Sequence, residues 1–318
     1  MKFSIIIPVY NTADFLKKCF ESIIVQKKGD FSVEVIIIND GSPDNSDEII
    51  KKYIKKYKNF IYINKKNGGL SEARNDGVKK ATGDYILFVD SDDYLNKELL
   101  FKLEKKIKNN NLPDLIKFDS QDVNFKNEVL KTVVLERKEN SIDLIKEAMD
   151  KKCLEVAWSY CYNLNFFKEN NFKYEPNKIH EDYGLTPIIL YNAKSISQLS
   201  YIGYNYLERN NSIMAITDYK KIKKNVKDSI FLYHKHKDFI KKDSIKGKLL
   251  LSYSLEAVLN KLTLLENNDM YKELEIIKKE INASDIYCYN KNKLLKKIIL
   301  LINKKLYLKL YKKNKKIK

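Results

Sequence analysis

Glycine and proline are scarce in this 318-residue chain, at nine and five residues, which argues against low-complexity linkers. No internal repeat is visible. The four cysteines, Cys19, Cys153, Cys161 and Cys288, form no C-x-x-C pair, so neither a zinc ribbon nor a redox motif is signalled. Isolated thiols fit a reducing compartment, where they behave as small buried hydrophobes. No run of about 18 apolar residues occurs, so no segment is long enough to span a bilayer. The opening MKFSIIIPVY is too short for a signal peptide and is interrupted by Pro8, so the expected location is cytoplasmic. What is present is ample core material, with 44% hydrophobic and 32% charged residues.

The net charge of +18 is unevenly placed. Residues 291–318 hold twelve lysines and no acidic residue, two thirds of the excess. Leu294, Leu295, Ile298, Ile299, Leu301, Ile302, Leu306 and Leu308 lie between them. Two readings fit. A basic helix with an apolar stripe can lie on an anionic membrane, where each lysine contributes roughly 1 kcal/mol. Alternatively, the segment docks on the core and ends in solvated lysines. The first gives the expectation of a peripheral protein at the inner face of the membrane. Charge alone also suggests nucleic acid, but the lysines cluster in the tail without a reading helix, so no specific nucleic-acid partner is expected.

Short apolar runs at 3–9, 33–39, 60–63 and 85–90 alternate with helical patterns at about 14–27, 46–57, 70–81 and 96–109. That alternation predicts an α/β fold with a mostly parallel central sheet. Ligands of such sheets lie beyond the C-terminal strand ends. Further strands are expected at 115–118 and near 129–135, and a helix at 183–191 with Pro187 near its first turn. From about 219 the pattern is helical and lysine-rich, so residues 1–215 are expected to form the catalytic domain and 216–318 a helical extension.

The strand ends carry the chemistry. Asp90-Ser91-Asp92 with Asp93 follows the strand run 85–89, and strand alternation points Asp90 and Asp92 the same way, a hard oxygen pair suited to Mg²⁺ or Mn²⁺. The same aspartates could instead cap the next helix. Asp40, before Gly41-Ser42, either accepts from a base or ribose or closes an Asx-turn. Asn67-Gly68-Gly69 opens a helix whose N-terminus suits phosphate, with Arg74 as a diphosphate fork or a solvated surface residue. It is neither G-x-G-x-x-G nor a P-loop. Glu181-Asp182 offers a general base or a helix-dipole partner. Trp158, Tyr160 and Tyr162 are either an aromatic acceptor wall or ordinary core. His234 and His236, two apart on a helix, face different directions and make no zinc pair.

Taken in order, Ser4-Ile5-Ile6-Ile7-Pro8-Val9-Tyr10-Asn11, Ile38-Asn39-Asp40-Gly41-Ser42, Asn67-Gly68-Gly69 with Ala73-Arg74-Asn75, and Phe88-Val89-Asp90-Ser91-Asp92-Asp93 closely resemble the family 2 inverting glycosyltransferases of the GT-A fold. The likeness covers residues 1–95 and continues more loosely through Trp158, Glu181-Asp182 and Arg209-Asn210-Asn211-Ser212-Ile213. It implies a nucleotide-sugar donor, UDP-linked by default, held by Pro8, Tyr10, Asp40, Asn67, Arg74, Asp90 and Ser91. It further implies Asp92 as the Mn²⁺ or Mg²⁺ ligand, Asp182 as the base, Arg209 and Ser212 as a loop closing over the phosphates, and Trp158 and Glu181 near the acceptor. The acceptor so implied is a surface glycan, lipid-linked or free. A dinucleotide oxidoreductase would need a Gly-rich turn where Pro8-Val9-Tyr10-Asn11 stands. The remaining alternative is a basic nucleic-acid- or membrane-binding protein with a non-catalytic nucleotide domain.

Overall fold

The computed structural model describes residues 1–138, 140–209 and 218–280, with Ile299, Asn303 and Leu306. The chain divides into two compact units, Met1–Ser212 and Ile213–Lys318.

The first unit opens with β1 (Lys2–Val9), α1 (Ala13–Ile24), β2 (Ser32–Asp40), α2 (Ser46–Lys56), β3 (Phe60–Lys65), α3 (Leu70–Lys80) and β4 (Tyr85–Phe88). β5 (Tyr94–Leu95), α4 (Leu99–Asn109), β6 (Leu115–Val123), β7 (Val129–Val133) and α5 (Ser141–Asp150) follow. β8 (Tyr160–Asn163), α6 (Leu164–Glu169), α7 (Glu181–Asn192) and β9 (Ile196–Leu207) complete it. Among the described residues one sheet runs β3-β2-β1-β4-β8-β6-β9-β5, with β7 beside β6. The long pairings, β1 with β2 and β6 with β9, are parallel. β8 runs antiparallel between β4 and β6.

Continuous apolar runs are what a sheet covered on both faces requires. Phe3, Ile5, Ile7 and Val9 of β1 pack with Leu16, Cys19 and Phe20 of α1, all buried. Full burial of each such large side chain stabilises the fold by about 1.5–3 kcal/mol. On the opposite face α3 lies very close. A Cβ on Gly77 would meet Ile6 Cγ2 at 2.3 Å and Ile38 Cδ1 at 3.0 Å. At the N-terminal strand ends Glu34 is buried, accepting from Ser4 Oγ at 2.5 Å, the Thr82 N–H at 2.7 Å and Lys2 Nζ at 2.6 Å. Burial opposes its ionisation, but these donors outweigh that and hold its carboxyl down to about 2.

Two expectations change here. Tyr160 and Tyr162 are not an acceptor wall: both are buried in β8, donating to the Leu154 and Ala157 carbonyls at 2.8 and 2.9 Å. Pro187 lies inside α7 rather than at its first turn, in a helix buried from Tyr183 to Leu190.

The second unit contains α8 (Tyr219–Phe239), α9 (Ile245–Leu262) and α10 (Asn267–Glu280). Val226, Tyr233, Leu255, Val258, Met270 and Leu274 form its core. Asp218 caps α8 by accepting from the Lys220 N–H, and Ser244 caps α9 by accepting from the Gly247 N–H. His236 Nδ1 and Ser254 Oγ, 2.6 Å apart and buried, join α8 to α9. Apart from Ile299, Asn303 and Leu306, the basic tail lies outside the described residues.

Candidate active site

The site begins where β1, β2 and β3 end. Asp40 is 3% exposed, and its two oxygens accept from the Gly68 and Gly69 N–H groups at 2.9 and 2.7 Å. The carboxylate therefore pins the turn that launches α3. Gly41 makes the approach possible: its φ is +66°, and a Cβ there would meet the Asn67 nitrogen at 2.8 Å. The local turn is closed by Asn39 instead, which accepts from the Ser42 N–H at 2.9 Å. Lys65 Nζ stands 4.0 Å from Asp40 Oδ1. Beside it lies an open groove of ≈ 490 Å³ lined by Lys66, Asn67, Gly68, Gly69, Glu72 and Asn177. Tyr10 stands 51% exposed at the end of β1, a free aromatic face. Pro8, expected against the base, is instead buried within β1 opposite Ile38. It lies past the β4 register, which ends at Ile6, where a missing N–H costs the sheet nothing on that side.

α3 carries the site onward. The Asn75 amide clamps Tyr174 from both sides, donating to its carbonyl at 2.8 Å and accepting from its N–H at 2.9 Å. Ser71 Oγ donates to the Glu175 carbonyl at 2.7 Å. Arg74 is 2% exposed; Nη2 donates to Asp90 Oδ1 at 2.9 Å and Nη1 to Glu181 Oε1. Its guanidinium lies 5.4 Å from the Tyr174 ring and 5.8 Å from that of Phe88. Two expectations are corrected by this burial. Arg74 is a tie beneath the cleft rather than a diphosphate fork on its surface. Glu181 points inward to that tie and offers nothing to an acceptor.

Asp90 and Asp92 share the cleft for a reason other than strand alternation. β4 stops at Phe88, and a turn closed by the Asp93 N–H donating to the Asp90 carbonyl at 3.0 Å carries the motif. Ser91, expected at the donor, is 4% exposed and hydrogen-bonded to Thr12 Oγ1 at 2.8 Å, a correction forced by the turn. Asp93 is buried and accepts from Tyr204 Oη and the Leu207 N–H, both at 2.8 Å. Burial, with the Asp92 and Asp90 charges, pushes its carboxyl well above the usual range. The Asp90 N–H donates back to Tyr204 Oη at 3.0 Å, so β9 holds the whole turn. Asp92, with its side chain 16% exposed, is paired with Arg209 Nη2. Burial first, then the Asp90 charge, raises its pKa, and Arg209 opposes both. Ser212 lies outside the described residues.

Asp182 follows the Arg74 partner at the start of α7, after His180 turns the chain at φ 60°. It accepts from the Tyr183 N–H at 2.8 Å. Burial and the neighbouring Glu181 charge push its carboxyl up to about 8, against the lowering pull of Arg74. Trp158 is half-buried and stacks on Tyr204, with centroids 4.1 Å apart and planes at 8°. Tyr204 and Tyr174 escaped sequence reasoning, as did the part Asp93 plays in holding the turn; the third acid of D-S-D-D was the one signal. Among the described residues no group of three or more His, Cys, Asp or Glu forms a complete metal centre. Asp92 with Asp90 fits a cation that keeps water and diphosphate oxygens in its shell, and a guanidinium already stands against Asp92.

The profile described as Glycosyl transferase family 2 matches residues 4–179. The chain belongs to that family. Its relatives include an uncharacterised glycosyltransferase named EpsJ from Bacillus subtilis (strain 168), 32% identical over 219 residues, 67% of this chain and 63% of EpsJ. A poly(ribitol-phosphate) beta-glucosyltransferase from Bacillus spizizenii is 33% identical over 210 residues, 65% of this chain and 32% of the enzyme. The chain thus spans about a third to two thirds of the length of these curated relatives. The family 2 fold is shared with S. aureus TarS 1–349 solved with UDP, at TM-score 0.65 and 21% identity, covering 96% of this chain and 85% of that one.

Proposed function

We propose that the chain transfers a sugar from a nucleoside diphosphate, UDP by default, to a hydroxyl of a surface glycan, with inversion at the anomeric carbon. The carrying observation is the Arg74 tie, which fastens the Asp90–Asp92 turn to the Glu181-Asp182 pair. One buried guanidinium thereby sets the diphosphate end of the cleft against the base. Tyr10 and the Asp40-pinned turn receive the nucleoside, and Asn67 faces the groove beside it. Asp92, with Asp90, would hold Mn²⁺ or Mg²⁺, which supplies charge neutralisation for the leaving diphosphate.

Asp182 takes the acceptor proton as the new bond forms, because a sugar hydroxyl is too weak an acid to ionise beforehand. A carboxyl held near 8 is a stronger base than an ordinary aspartate once ionised. A single displacement from the face opposite the diphosphate inverts the centre. One relative is named for poly(ribitol-phosphate) glucosylation, another as a minor teichoic acid biosynthesis protein, and TarS has been solved with UDP-GlcNAc. These names support a UDP-hexose or UDP-N-acetylhexosamine donor and a polyol-phosphate or related surface polymer as acceptor. The lysine-rich tail supports seating at the inner membrane surface.

Calorimetric titration of UDP with Mn²⁺ tests the donor site. Binding that needs both Mn²⁺ and Asp92 supports it, and binding of another nucleoside diphosphate in place of UDP moves only the donor. Silence from every nucleoside diphosphate sinks the transferase reading.

A further inference from the structure

The two arginines of the site are held in opposite ways. Arg74 is buried between two carboxylates and the rings of Phe88 and Tyr174, with no room to leave. Arg209 has its side chain 26% exposed, one carboxylate partner among the described residues, Asp92, and its guanidinium 5.1 Å from the Phe15 ring. The backbone before it is fixed: the Leu207 N–H donates to Asp93 at 2.8 Å and the Glu208 N–H to the Val123 carbonyl at 2.9 Å. Arg209 can therefore change partners by side-chain rotation alone. A guanidinium fork matches a carboxylate and a phosphate equally well.

Of the three carboxylates in this turn, Asp90 already has Arg74 and Asp93 is held by Tyr204 Oη and the Leu207 N–H, so Asp92 is the one that Arg209 neutralises. We infer that Arg209 is the resident counter-cation of Asp92, and that a divalent cation displaces it while the freed guanidinium moves to the donor diphosphate. The inference rests on the donor site proposed above. It makes the two ligands interdependent: metal alone must compete with Arg209, whereas metal arriving with a diphosphate gives Arg209 a new partner. By linkage each ligand then tightens the other.

The test is calorimetry with Mn²⁺ alone and with UDP added to Mn²⁺-loaded protein, on the full chain, Arg209→Gln and Asp92→Asn. If the ion pair is formed about 90% of the time, its loss raises Mn²⁺ affinity about tenfold, since apparent affinity scales with the competent fraction. Arg209→Gln should therefore bind Mn²⁺ about tenfold more tightly and UDP about tenfold more weakly, a pair of opposite signs. A merely structural role for Arg209 weakens both, and that result overturns the inference, as does unchanged Mn²⁺ affinity. UDP affinity that is unchanged or tighter overturns the hand-over. If Asp92→Asn binds Mn²⁺ as well as the wild type does, the metal reading of Asp92 fails and this inference falls with it. Loss of Mn²⁺ binding in Asp92→Asn, with Arg209→Gln like wild type, leaves the donor site standing and removes the inference alone.

Discussion

The two ends of α3 are built on different principles. At its N-terminus the site is made of backbone: Asp40 accepts from two consecutive N–H groups, and Gly41 lets the chain come close enough for that. At Arg74 the site is made of side chains, with a buried arginine between buried Glu181, partly exposed Asp90 and two aromatic rings. The first end is an exposed groove that can be altered residue by residue. The second is a charge cluster whose arginine cannot be removed without stranding both of its acids. Under the proposed function, recognition falls at the end where change is tolerated and chemistry at the end where it is not.

The largest expected effect lies at the side-chain end. Asp182→Asn should lower transfer 10²- to 10⁴-fold with UDP affinity retained, measured by product formation and calorimetry. The wild-type rate should rise with pH through about 8, because the base must be ionised and its pKa is raised. The sign for stability is the reverse. A carboxyl whose folded pKa exceeds its unfolded value favours the fold while protonated, and that contribution is lost as pH rises towards 8. Asp182→Asn should accordingly have a higher Tm than wild type at pH 8. An inactive variant with no gain in Tm would show that burial does not oppose ionisation here.

Arg74→Met comes next, with an expected loss of about 3–5 kcal/mol in denaturant unfolding, since Asp90 and Glu181 would be left without their cation. A loss below about 1 kcal/mol would erase the contrast between the two ends. Glu34 is the control, a buried acid away from both ends. Its folded pKa of about 2 lies below the unfolded value, so its contribution is full above about 4.5 and lost as pH falls through 2. Glu34→Gln should cost up to about 3 kcal/mol at neutral pH and flatten the acid limb of stability, with unchanged UDP affinity. The smallest effect is Asn67→Ala: stability within about 0.5 kcal/mol, and a few-fold weaker UDP binding read by calorimetry. A destabilised Asn67→Ala would mean that the groove is part of the frame.

The same contrast decides what was legible in the sequence. The ends of β1 to β4 are signalled by apolar runs and by Asn, Asp and Gly within a few residues, so Asp40, Asn67 and the D-x-D turn could be found locally. Arg74 and Glu181 are 107 residues apart, and Tyr204 and Asp93 are 111 apart. No local period encodes such a pair, so Arg74 looked like a surface fork and Glu181 like an acceptor contact. β9 was missed because Ser197-Gln198 and the adjacent Tyr201-Ile202 shift the phase of its apolar alternation. β8 carried its tyrosines into the sheet, where their hydroxyls bond to carbonyls only a few residues away.

The missing side chain at Gly77 has a consequence for how this chain can be altered. With Ile6 and Ile38 pressed against that position, α3 works as a ruler laid on the sheet, fixing the spacing from the Asp40 turn to Arg74. If the proposed function holds, nucleotide seat and reacting centre are kept at a fixed distance, and donor preference is not changed by sliding the helix. On that reading the groove residues Lys66, Asn67 and Asn177 are where donor preference would be altered, since their replacement leaves the ruler where it is.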